Sequence, residues 1–141
     1  MNWKELIDNF CAENKEVIDM AVFDQEATLY GVKNDEFMIN EYAELNSYFE
    51  NPQESLGGKA LTVDGLSYPF INEGIDTSVD GVKIEFLFLL CKTEPRALYI
   101  YRTQQAISAL VITVPSKTRE NFIHASDIGI KWAHQIAESG F

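Results

Sequence analysis

Residues able to carry chemistry are few in this chain, and they are scattered. His124 and His134 stand ten positions apart in a stretch with helical spacing, so their rings point in different directions. Helical metal ligands sit three or four residues apart, as in H-E-x-x-H, and neither histidine has such a neighbour. Solvated or interface histidines are the expectation. Cys11 and Cys91 make neither a C-x-x-C pair nor a disulfide framework. Cys11 falls on an apolar helix stripe and Cys91 ends an apolar strand, which predicts buried thiols. LGGKA at 56–60 shares Gly-Gly-Lys with phosphate loops. It lacks that pattern's first glycine and the Ser/Thr that would hold magnesium. No G-x-S-x-G is present, and no carboxylate pair stands out as an acid/base couple. These absences predict no metal, no cofactor and no enzyme. A binding module is the stronger class.

The composition agrees. The chain has 141 residues, 46% hydrophobic and 12% aromatic, enough for one folded domain over residues 1–141. Eleven Lys+Arg against 22 Asp+Glu leave a formal net charge of −11. A phosphate backbone or an anionic lipid surface would repel such a chain, so nucleic acid is not an expected partner. The longest apolar run, FLFLL at 86–90, is too short to span a bilayer. The N-terminus carries Glu5 and Asp8 where a leader would be basic and apolar. The reading is a soluble cytoplasmic protein.

Binding residues need elements to hold them. Residues 2–12 read as a helix capped by Asn2, with Trp3, Leu6, Ile7, Phe10 and Cys11 along one stripe. VIDMAVFD and TLYGV read as a hairpin across QEA. Tyr42, Leu45 and Phe49 predict a second helix over 39–51, stopped by Asn51-Pro52, with NPQESLGG as a loop. ALTV and LSYPFI flank Asp64-Gly65, a hairpin signal, and Pro69 suggests that the second of these strands is short or at an edge. NEGIDTSVDG, 72–81, reads as a polar turn region. VKIEFLFLLCK, ALYIYRT and AISALVITV follow as strands joined by short turns, an antiparallel meander. The last helix is expected over 121–138. Its broad apolar arc includes Phe122, Ala125, Ile128, Trp132 and Ile136, and Ile123, Ile130 and Ala137 form a stripe on its flank. The sum is an α+β domain, a central antiparallel sheet covered by helices.

Several segments in this order resemble the profilins, the small actin-monomer-binding proteins. The opening sets Trp3 ahead of IDNF; DMAVFDQEATLYGV is similar to the profilin hairpin, with Tyr30 at its aromatic position. VDGL at 63–66, the paired strands ALYIYRTQQAISALVITV and the ending HQIAESGF continue the likeness over nearly the whole chain. The stretch 72–81 does not align, and the degree of divergence resembles that of profilins from Asgard archaea.

The resemblance implies a profilin-like fold: a meander with the N- and C-terminal helices on one face and a shorter helix on the other. It implies a monomer in the cytoplasm, associated with a cytoskeleton, that binds an actin or actin-like monomer and regulates polymerisation. It would suppress nucleation and ease nucleotide exchange by shifting the partner's conformations. The actin-facing positions would be Lys92 and Ala97 on the strands and Asn121, Ile123, His124, Asp127 and Lys131 on the last helix, with Ile123 as apolar anchor. A second surface would take proline-rich segments on Trp3, Leu6, Tyr30, Gln135 and Phe141. Leu6 and Gln135 replace groups that commonly stack or hydrogen-bond, each worth about 0.5–1.5 kcal/mol. Polyproline binding is therefore expected to be weak, altered or absent. Phosphoinositide binding, a third habit of the family, is opposed by the charge of −11. The alternative reading is a sensor or interaction module of similar layout, such as a roadblock, longin or PAS-like domain.

Overall fold

Asn2 starts the first helix as expected: its side chain accepts from the Glu5 amide at 3.1 Å. In the computed structural model, which describes residues 2–77 and 80–141, this helix, α1, spans Trp3–Glu13. It buries Trp3, Ile7, Phe10 and Cys11. The strands are β1 (Val17–Phe23), β2 (Leu29–Val32), β3 (Ala60–Val63), β4 (Leu66–Thr77), β5 (Lys83–Leu90), β6 (Arg96–Arg102) and β7 (Ile107–Thr113). They form an antiparallel sheet in the order β2-β1-β7-β6-β5-β4-β3. The meander β3 to β7 is thus continued by the N-terminal hairpin, with β1 lying against β7.

Alternation sorts β6 to two cores. Ala97, Tyr99 and Tyr101 face α1 and the last helix, α4 (Arg119–Glu138), while Leu98 and Ile100 face the short helices. Both faces are covered, which is why ALYIY reads as an unbroken apolar run. Two tyrosines set α4 in place. The Tyr99 hydroxyl donates to the Phe122 carbonyl at 3.1 Å and the Tyr101 hydroxyl to the Ser126 carbonyl at 3.4 Å. Two residues of strand and four of helix each advance about 6–7 Å, so α4 lies along β6. The fully buried Trp132 donates to the Ser108 hydroxyl at 2.9 Å and packs edge-on against Phe10, locking α4 to α1.

Five expectations need correction. Residues 39–51 are not one helix. Ile39 bridges to Val63, then a 3₁₀ turn (Tyr42–Glu44) leads into α2 (Leu45–Tyr48), and α3 occupies Pro52–Leu56. Asn51-Pro52 does stop α2, but it also starts α3, because Asn51 caps the Glu54 amide and Pro52 needs no partner at the first helical position. NPQESLGG is therefore partly helical. β4 is neither short nor at an edge: it is the longest strand and lies between β5 and β3. Pro69 pairs with Ala60, and the ladder to β5 begins only at Phe70, so its missing donor costs nothing on that side. The turn expected over 72–81 is strand as far as Thr77; Ser78 and Val79 lie outside the described residues. The last helix starts two residues earlier than expected, capped by Thr118.

Arg102 ties α2 to the sheet. It bonds Glu85 and Asn46, pairs with Glu50 at 3.2 Å, and lies 5.0 Å over the Phe49 ring. Burial opposes ionisation of Glu85, but bonds from Arg102 and Lys83 outweigh it and hold the carboxyl below its ordinary value of 4.5.

Two stability outcomes follow. A depressed carboxyl stabilises the fold above its unfolded value, and that contribution is lost as pH falls from 4.5 through the lower folded value. Urea midpoints followed downward from neutral pH should therefore fall less steeply below about pH 4.5 in Glu85→Gln than in the parent. A methyl group at Gly129 would sit 2.7 Å from carbons of the buried Tyr101 ring. Gly129→Ala should cost about 1–3 kcal/mol in urea melts, and a neutral result would mean that α4 does not need this close approach to Tyr101.

Candidate functional site

Two surfaces emerge. The first gathers residues from both ends of the chain. The register between β1 and β2 slips between Val22↔Gly31 and Phe23↔Leu29, leaving Tyr30 without a partner of its own. Such a bulge re-aims a side chain, and Tyr30 turns to the α1 face and stacks on Trp3, centroids 5.0 Å apart and planes 7° apart. Phe141 meets Trp3 edge-on at 4.9 Å and Tyr30 at 5.9 Å. Its carbonyl accepts from Thr103 Oγ1 at 2.7 Å and from the Gln105 amide. Gly31 lets α1 come close: a Cβ there would lie 2.8 Å from that of Trp3. Leu6 and Gln135 are half-buried, and Leu6 packs against the same core as Trp3.

The cluster is largely closed. Trp3 is only 8% exposed, with Tyr30 on one of its faces and Phe141 against it. A polyproline helix needs open aromatic faces. Here Trp3 gives one face to Tyr30 and is almost wholly covered, while Tyr30 and Phe141 remain partly exposed.

The second surface involves α4, and it divides the expected residues. Ala97 offers no surface: it is fully buried under the helices because β6 turns positions 97, 99 and 101 inward. Lys92 is exposed in the β5–β6 turn. The Asn121 amide donates to Ser116 and Thr118 hydroxyls, both at 2.7 Å, and so builds the start of α4. His124 pairs with Glu16 at 2.9 Å and Lys131 donates to Asn14 at 2.9 Å; both reach the α1–β1 connection. The bond from His124 holds the Glu16 carboxyl below its ordinary value. Asp127 is exposed.

Ile123 turns the other way. It is 47% exposed and borders a groove of about 190 Å³ between α4 and strands β4–β6. Phe86, Phe88, Tyr99 and Phe122 supply the apolar wall, with Asn72 and Arg119 at the rim. Phe88 stacks on Tyr99 at 5.0 Å and meets Phe122 at 5.4 Å. Ile71, put outside by the bulge between Phe70 and Asn72, is 51% exposed on the same strand, β4. Sequence reasoning missed these phenylalanines. The signal lay in FLFLL: Phe86 and Phe88 share one face, while Leu87 and Leu89 fill the opposite core.

No group of three His, Cys, Asp or Glu among the described residues could hold a metal ion. Both thiols are buried, and burial pushes that of Cys11 up to about 11, far from a reactive thiolate. No helix among the described residues is long and apolar enough to cross a membrane. The geometry suits contact with another macromolecule.

No protein-family model matches the chain. No curated protein sequence matches it. Solved structures do. The profilin IA of Acanthamoeba castellanii superimposes with a TM-score of 0.72 at 15% identity, over 99% of each chain. The Schizosaccharomyces pombe profilin gives 0.72 at 13% identity, also over 99% of each. LokiProfilin2, solved in complex with rabbit actin, gives 0.55 at 13% identity, over 90% of this chain and 92% of that one. At such identities the likeness is one of fold, and it runs from end to end: this chain has the profilin fold.

Proposed function

We propose that the chain acts as one profilin-like unit over residues 1–141, a non-enzymatic, monomeric binder of an actin or actin-like monomer in the cytoplasm. The observation that carries this is the groove beside α4. An interface wants a desolvated apolar anchor with polar groups at its rim. Ile123, Phe88 and Phe122 provide the first, and Arg119 and Asn72 the second; Lys92 is exposed in the β5–β6 turn, outside the groove. Two Loki profilins of the same fold are solved with rabbit actin, which supports the choice of partner. His124 and Lys131 lie toward the opposite side of α4, where they hold the α1–β1 connection. In this reading they and Asp127 form a polar margin, and Asn121 shapes the helix start.

The mechanism is stoichiometric. Covering one end of a monomer blocks nucleation while leaving addition at the free filament end open. Any effect on nucleotide exchange is a population shift in the partner. Proline-rich segments are weak ligands at best, because Trp3 is almost wholly covered by Tyr30 and Phe141.

Added to polymerising actin, the protein should lengthen the lag and lower pelletable filament; a roadblock, longin or PAS-like module would change neither. Ile123→Asp should weaken monomer binding by about tenfold or more. The triple change Ile123→Asp, His124→Glu, Lys131→Glu should weaken it further, and unchanged affinity in the triple variant would sink the site. Trp132 is fully buried against Phe10 and Ser108, so a ligand-dependent change in tryptophan emission would come from Trp3. Titration with decaproline should show no binding tighter than about 1 mM; micromolar binding would mean that the ring cluster opens.

A further inference from the structure

A third surface lies on the sheet face opposite α1 and α4, and the actin reading does not use it. Along the β1–β2 hairpin, from its turn at Ala27 to Val32, residues 35–42 lie against the sheet and leave an apolar groove of about 290 Å³. Phe23 and Tyr42 stack in it, with centroids 6.2 Å apart. Leu29, Met38 and Tyr42 line it and are 50%, 53% and 44% exposed. Six large hydrophobics are this open among the described residues, and three of them meet here. Isolated exposed apolar side chains need no explanation, but a shared patch marks an interaction site.

The rim identifies the occupant. Asp35 lines the groove, and Glu26 and Glu36 are exposed next to lining residues. Between positions 24 and 44 the chain carries six carboxylates and one cation, Lys33. That cation is withdrawn: its ammonium donates to the Val17 and Ile18 carbonyls, each at 3.0 Å. Lys4, which reaches the Val32 carbonyl from α1, is paired with Asp8 at 3.1 Å, so the field over the groove is negative. It would repel a second copy of this chain, whose net charge is −11, and would attract a cationic one. The volume sits at the lower end of ligand cavities, roughly 300–1,000 Å³, and suits one or two anchoring side chains better than a cofactor.

We propose that this groove docks a basic peptide segment of a partner protein, a large apolar side chain seated against Phe23 and Tyr42 and flanking Lys or Arg facing Asp35, Glu26 and Glu36. The site is separate from the α4 groove and from the Trp3 cluster. A partner held here would stay bound while the α4 face is occupied.

The probe is a short synthetic peptide with lysines around a Leu-x-x-Phe core, with two controls that replace every Lys by Glu or both anchors by Ala. Titrated into the isotopically labelled full chain, the probe should move amide resonances around Leu29 and 37–42, and neither control should. Leu29→Ser with Met38→Ser should weaken the probe about tenfold or more. Asp35→Asn with Glu36→Gln should weaken it about threefold or more at low salt, and less at high salt. All four positions are exposed, and a circular dichroism melt checks that both variants fold. Equal affinity in the first variant, or shifts spread over the whole acidic surface, would overturn the proposal. So would self-association in sedimentation that Leu29→Ser with Met38→Ser abolishes, since the occupant would then be a second copy.

Discussion

Helix α4 can lie along β6 because Gly129 leaves room for the ring of Tyr101 beneath it. Much else depends on that close approach. It brings the Tyr99 and Tyr101 hydroxyls to the Phe122 and Ser126 carbonyls, and it lowers Trp132 onto Ser108 and against Phe10. α1 is then held beside α4, and the two ends of the chain meet. The same placement leaves the first half of α4 overhanging β4 and β5, which makes the groove at Ile123. One missing side chain in the helix thus sets both the closed aromatic cluster and the open apolar groove.

Trp3 gains its order from this arrangement. A ring three residues from the end of a chain would ordinarily fray. Here Gly31 admits α1 close to β2, the bulge turns Tyr30 onto the indole, and Phe141 closes its edge. Lys4 adds a tether, donating to the Lys33 carbonyl at 2.6 Å. The three rings thereby clasp the two ends of the fold together.

The cations are deployed inward in a similar way. Lys33 is turned onto β1 carbonyls, Lys131 onto Asn14, and Arg102 onto two carboxylates and the Phe49 ring. Several of the few positive charges therefore hold elements together rather than facing a partner. Most of the surplus carboxylates are left outward, and Asp35, Glu26 and Glu36 are among those exposed at or beside the groove of Leu29 and Met38. In a chain with 22 acidic residues against 11 basic ones, where a cation is spent decides what the surface can attract.

Local interactions were legible without the fold. Asn2 as a cap, the amphipathic stripes of α1 and α4, the hairpin turn at Asp64-Gly65 and the buried cysteines all depend on neighbours in the chain. So did the meander, because alternation and short turns leave few ways to pair successive strands. Residues 39–56 were misjudged where two local signals compete: Asn51-Pro52 ends one helix and begins another, and periodicity alone does not separate the two. Pro69 misled because a missing donor matters only if a neighbouring strand needs it, and that depends on where the β5 ladder begins. Tertiary structure alone decided that Ala97 is interior, that His124 and Lys131 tie down a loop while Ile123 faces open space, and that Trp3 is sealed by Tyr30. The physical reason is the same in each case. A sequence period says which side chains share a face, but only the packing of one face against another says which of them remain in contact with water.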